Sequence, residues 1–130
     1  MSGVKAPHSV SSQKAPGAIG PYSQGVVAGN LLFISGQLPV DPATGAFVAG
    51  GIAEHAHQCL QNLLAISTAA GTSLERAVKV TVFLTDMGNF ATVNQVYGEY
   101  FKSNLPARSA VQVAALPKNA DIEIEAIVSL

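Results

Sequence analysis

Arg108 opens a run of small and aliphatic residues, 107–116, directly behind Pro106-Ala107. Alternating apolar residues further along, Ile122, Ile124 and Ala126, place Glu123 and Glu125 together on the opposite face of a terminal strand. Arginine is the side chain best shaped to hold a small carboxylate, because its planar fork makes two parallel charge-assisted hydrogen bonds. A partly buried glutamate can orient or deprotonate a water. The pair points to a small carboxylic acid attacked by water. Glu125 reads as a solvated strand-face residue. The two glutamates stand ~6.6 Å apart along the backbone. A glycosidase pair has to flank a sugar, and the chain has no Trp to stack on one.

Other chemistry has weaker support. His55 and Cys59 share a helix face at a spacing of four while His57 points elsewhere, and two ligands do not make a zinc site. No metal is expected. Cys59 lies in an apolar helix, where a lone cysteine is usually a small hydrophobe. Ser35 is outside any G-x-S-x-G elbow. Gly17, Gly20 and Gly25 have neither standard phosphate-loop spacing. The segment 15–25, A-P-G-A-I-G-P-Y-S-Q-G, is instead an ordered loop. It sets Tyr22 on a stiff backbone, either as a hydrophobic plug or as a pocket wall that donates a hydrogen bond.

The elements that position these residues follow from periodicity. Residues 24–37 read as a β-hairpin about Gly29-Asn30, and 39–45 as a loop. Helical spacing runs over 52–70, with Gly71 as the stop. Val78, Val80, Val82 and Leu84 alternate with Lys79, Thr81, Phe83 and Thr85 in the pattern of a half-buried strand. A second helix spans 90–101, with Asn89 as its N-cap, and 104–106 end it. Strands follow at 109–115 and 121–129. The predicted order, β-β-α-β-α-β-β, packs two helices on one face of a mixed sheet in an α+β domain. Residues 1–12 read as a disordered tail and 13–130 as a single domain.

At 130 residues, one domain buries roughly two-thirds of its unfolded surface. Charged residues are only 12% of the chain, against about 25% in ordinary soluble domains. So few charges point to surface hidden in an oligomer interface. A net charge of −1 gives no basic field for nucleic acid. No apolar run approaches the ~20 residues that span a membrane. A single cysteine and an N-terminus without a signal core fit a cytoplasmic protein.

Taken in order, six segments resemble the Rid/YjgF family, specifically its RidA-type enamine/imine deaminases. They are 15–25, I-S-G-Q-L-P at 34–39, V-T-V-F-L-T-D-M at 80–87, F-A-T-V-N at 90–94, P-A-R-S-A-V-Q-V-A-A-L-P-K at 106–118 and I-E-I-E-A-I at 122–127. The likeness runs from about residue 15 to 128. It implies a chorismate-mutase-like α+β fold and a homotrimer with sites at its subunit interfaces. It further implies hydrolysis of 2-iminobutanoate and 2-iminopropanoate to 2-oxo acids and ammonia, with no cofactor. These imines arise from enamines released by PLP-dependent dehydratases.

By the same resemblance, Arg108 clamps the substrate carboxylate and Glu123 activates the water. Tyr22 and Ser35 hydrogen-bond the reacting end or its water. Gly36 adds backbone polarity, Phe90 and Asn94 form a pocket wall, and position 110 acts through its main chain. Relatives of this type often carry Cys where this chain has Ala110, so no thiol acts there. Two other functions are compatible with the chain: a non-catalytic module binding 2-oxo or amino acids, and an RNA-directed translation inhibitor. The second lacks the basic-aromatic stripe that RNA binding calls for.

Overall fold

A computed structural model describes residues 5–130. Eight elements build it: β1 (His8–Val10), β2 (Gly25–Ala28), β3 (Leu31–Gln37), α1 (Ile52–Ala69), β4 (Ala77–Leu84), α2 (Phe90–Tyr100), β5 (Ala107–Gln112) and β6 (Ile122–Ser129). The six strands form one sheet in the order β1-β2-β3-β6-β4-β5. Only the β4–β5 pair is parallel, and α2 is its crossover. The remaining pairs are antiparallel, so this is the expected mixed α+β sheet.

The two helices cover one side of the sheet. Ala56, Cys59, Leu60, Leu63 and Ile66 of α1 are fully buried and recur at helical spacing. They meet Leu32, Val80, Val82, Leu84, Ile122, Ile124 and Val128 in one cluster. Val93, Val96 and Tyr97 extend that core from α2. A complete change of face is excluded, because a one-residue slip of β6 would drive Glu123 and Glu125 into this apolar layer.

Among the described residues, no layer covers the opposite side of the sheet. Its rows follow from the register: Val26, Phe33 and Ile127 in one, Glu123, Phe83 and Val111 in another. Phe33 and Val111 are each about two-fifths exposed (42% and 41%).

Several local expectations are corrected. Residues 1–4 of the expected tail lie outside the described residues, but His8–Val10 pairs with Gly25–Val27 and so belongs to the sheet. Gln24 makes that possible by tying down the following turn, with its side chain bonded to Ser12, Ala15 and Pro16 backbone. Val78 does not face the core. A register shift between Ala77 and Lys79 turns it outward to 45% exposure. Asn89 makes no side-chain cap. Asp86 caps instead, accepting from the Gly88 N–H at 2.8 Å across a short 3-10 turn that leads into α2. The strand expected at 109–115 is Ala107–Gln112, which brings Arg108 inside it.

Candidate functional site

Glu123 is carried by the sheet's centre. Beside it β3 is irregular: Ile34 pairs with Ala126 and Gln37 with Ile124, so β3 holds one residue more than β6 across this step. The extra residue lies at Ser35-Gly36. A Cβ built on Gly36 would lie 2.7 Å from Glu123 Cδ and would overlap Glu123 Oε2. Glycine is therefore required there for close approach, not for its dihedrals. Partial burial, with the charge of Glu125 adding to it, pushes the Glu123 carboxyl above its usual range. A carboxylate of that kind is a better proton acceptor than one in open water.

Ser35 stands next to this carboxylate on the bulge. Its hydroxyl donates to Ser23 O at 2.6 Å, so only its lone pairs remain for another partner. Its own N–H is taken by Gln24 O, and its C=O by the Gln37 side chain. The ties to Ser23 and Gln24 lock the bulge to the 15–25 loop, while that from Gln37 stays within β3. That loop presents Tyr22, 53% exposed, whose phenol oxygen accepts from Ile19 N–H at 3.3 Å and keeps its proton free to donate. Ser35, Gly36 and Glu123 are thus brought together, with Tyr22 one residue from the backbone group that holds Ser35.

Arg108 lies elsewhere. It enters the edge strand β5 opposite Val80, which is fully buried on the helix side. Glu123 pairs with Phe83 on the other side of the sheet. The two side chains therefore leave opposite faces. They are separated by about 10 Å along the strands and about 10 Å across them. One protomer does not bring them together. Arg108 reaches α2 instead: its Nη1 donates to Asn94 Oδ1 at 2.7 Å, and its Cζ lies 5.2 Å from the Phe90 ring centre. Ala110, two residues on, is half-buried against the core on the same side. Arg108, Asn94 and Phe90 form a second cluster, and Arg108 and Asn94 line a ≈ 400 Å³ cleft together with Tyr97 and Leu105, whereas Phe90 and Ala110 lie outside that lining.

The residues set aside in the sequence have structural tasks. His55 Nδ1 lies 2.8 Å from the Asp121 carboxylate and its Nε2 3.0 Å from Val48 O, which pins the 39–48 loop to the start of β6. Cys59 is fully buried, and burial pushes its thiol well up, away from nucleophile chemistry. Among the described residues, no three His, Cys, Asp or Glu side chains cluster as metal ligands, and no helix is long and apolar enough to cross a membrane.

Sequence reasoning missed Tyr97 and Gln24. Tyr97 read only as a core position of α2, although it stands seven residues after Phe90 and so shares its face. Gln24 gave no signal, since a lone glutamine before an apolar run has no distinguishing pattern.

The family model described as endoribonuclease L-PSP matches residues 12–130. A RutC family protein, y4sK, from Sinorhizobium fredii is 56% identical over 93% of this chain and 96% of its own. The 2-iminobutanoate/2-iminopropanoate deaminase of Homo sapiens is 55% identical over 91% of this chain and 86% of its own. Among solved structures, E. coli TdcF with bound serine superposes with a TM-score of 0.90, at 48% identity over 95% of this chain and 98% of that one.

Proposed function

The chain belongs to the endoribonuclease L-PSP family, the Rid/YjgF group, and from that premise we propose that it is a 2-iminobutanoate/2-iminopropanoate deaminase acting as a homotrimer. The observation that carries this reading is the division of the site. Each protomer holds a carboxylate clamp on its β5 edge and a water-activating carboxylate on its open sheet face. Arg108 of one chain completes a site with Glu123 of the next. Cyclic closure then uses every half-site and covers the apolar rows at Phe33 and Val111. The low charge of the chain fits surface buried in this way.

The chemistry balances without a cofactor. Arg108 grips the substrate carboxylate through the edge of its guanidinium. Glu123 accepts a proton as water oxygen bonds to the imine carbon, and the C=N electron pair moves to nitrogen. Glu123 returns that proton to nitrogen, giving a carbinolamine; the hydroxyl proton then passes through Glu123 to nitrogen as the C–N bond breaks, so that ammonia departs and a 2-oxo acid remains. An imine carbon is already electrophilic, so positioning and one base are the main requirements. Tyr22 is placed to donate to the reacting end and Ser35 to accept from the water. The backbone at Gly36 and Ala110, with Phe90 and Asn94, walls the pocket. The serine bound to TdcF is another small amino acid with a carboxylate, which favours this ligand class. A buried lone thiol suits the reducing cytoplasm.

The test is imine clearance. A threonine dehydratase generates 2-iminobutanoate, semicarbazide traps the free imine, and the protein is titrated in. Semicarbazone formation should fall in proportion to protein. Arg108→Ala should leave it undiminished, since two charged hydrogen bonds worth ~1.5–3 kcal/mol each are lost. Clearance by Arg108→Ala at the unmodified rate would overturn the clamp. No clearance by the unmodified protein, with 2-oxo acid binding retained by calorimetry, would leave a binding module.

A further inference from the structure

Helix α2 presents Phe90, Asn94 and Tyr97 at positions i, i+4 and i+7, one stripe of its surface. Arg108 lies along that stripe. Its Cζ sits 4.7 Å from the Tyr97 ring centre and 5.2 Å from that of Phe90, while Nη1 donates to the Asn94 amide between them. Among the described residues, Arg108 makes no ion pair. The guanidinium thus lies against two aromatic rings and one amide oxygen, with no opposite charge beside it.

The two ends of this contact differ. Arg108 is exposed on an edge strand, whereas Tyr97 is 94% buried and stacked on Phe101 with ring centres 4.5 Å apart. Its ring cannot move without disturbing the core. Its hydroxyl is buried without a hydrogen-bond partner, so nothing in the fold uses the oxygen. The ring is what the surroundings employ.

Rings take the face of a guanidinium, and of its edge only Nη1 is engaged, by Asn94, so N–H groups on the rest of the edge stay open. A carboxylate binds that edge, through two parallel N–H···O bonds. A long arginine on an exposed strand otherwise samples many rotamers, and freezing them opposes binding. A fixed ring beneath it removes part of that freedom before the ligand arrives.

We infer that Tyr97 is a positioning residue for the carboxylate clamp: its buried ring, together with Phe90, holds Arg108 by the face so that the edge is presented to a substrate carboxylate. This rests on the reading of Arg108 as that clamp. Tyr97 touches no reacting atom and acts only through the arginine.

The test compares Tyr97→Leu with Tyr97→Phe in the whole protein, with two independent readouts. The first needs no substrate. The Nε–Hε resonance of Arg108, assigned from its loss in Arg108→Ala, should carry a ring-current shift that Tyr97→Phe keeps and Tyr97→Leu reduces. The second is kinetic. Tyr97→Leu should raise KM for the imine about 5- to 30-fold, the range of a cation–π contact, with kcat within about twofold. Tyr97→Phe should restore KM to within about twofold and melt no lower than the unmodified protein, because only an unpartnered hydroxyl is removed. If Tyr97→Leu does not fold, Tyr97→Met removes the ring with a side chain that fills irregular gaps.

An unmoved Arg108 resonance, an unchanged KM in the ringless variant, or a Tyr97→Phe as impaired as Tyr97→Leu each overturns the inference. Full activity in Arg108→Ala is a separate failure: it removes the clamp itself. Loss of activity there, with KM unchanged in Tyr97→Leu, removes only the role of Tyr97.

Discussion

The two halves of the site are built by different means. Around Glu123 the backbone does the work. A bulge in β3 opens space, Gly36 vacates it, and Ser35 is bonded on both its side chain and its main chain. Around Arg108 the backbone is an exposed edge strand, and side chains from α2 do the holding. Charge is treated oppositely as well. The Glu123 carboxyl is pushed toward its neutral form by burial and by Glu125, so it is ready to take a proton. The arginine is left in contact with solvent, where its charge can meet an incoming anion. A base benefits from desolvation, while a clamp has to remain accessible to an incoming substrate.

The largest effect should come from breaking the first half chemically. Glu123→Gln keeps the shape and removes the proposed base. We expect kcat to fall about 10²–10⁴-fold, with KM changed only a few-fold, in the semicarbazide competition assay. The same variant sharpens the electrostatic side of the contrast. Because the folded pKa of Glu123 is raised above its ordinary value of 4.5, the protonated form favours the folded state. That contribution is fully present below pH 4.5 and lost as pH rises through the folded pKa. Thermal melts should therefore show Glu123→Gln gaining on the unmodified protein at neutral pH and gaining nothing below pH 4.5.

Breaking the same half sterically should cost less. Gly36→Ala puts a methyl group where the Glu123 carboxyl now lies. The carboxylate is the end of a flexible side chain, so the fold should survive with the base displaced. A loss of about 10- to 100-fold in kcat, with Arg108 still competent to bind 2-oxobutanoate in calorimetry, is the expected split, since small misplacements at a reacting centre are worth about 10²-fold. Equal loss of ligand binding and turnover would mean that the halves are not separable.

Glu125→Gln is the mildest change. Removing a negative charge two residues away lowers the Glu123 pKa, so the acidic limb of the pH–rate profile should move to lower pH while the maximum rate stays within about twofold. A limb that stays in place would assign the shift to burial alone.

Legibility followed range in the sequence. The hairpin about Gly29-Asn30, both helices and the outward face of β6 are local patterns, read from periods of 2 and 3.6 and from turn residues, and they stand in the fold close to where the spacing put them. Two of the misreadings involve a partner distant in sequence. Val78 alternates correctly but is turned out by an irregularity in pairing with β6. The N-terminal strand exists because β2 offers an edge and Gln24 a tether twelve residues away. Among the site residues, the arginine and the glutamate were marked by type and strand position, whereas Tyr97 was masked by its own apolar pattern. In the inferred role Tyr97 serves both core and site, and its spacing shows only the core.

Residue type and alternation set which chemistry is available: one arginine at a strand entrance, two glutamates facing away from an aliphatic stripe, and glycines where backbone has to come close. They do so because both are local properties of the sequence. The tertiary structure alone decided where those groups face. Pairing register puts Arg108 on the helix side of the sheet and Glu123 on the open side, because neighbours in a ladder share a face and each residue along a strand reverses it. No spacing within a strand contains that relation between strands.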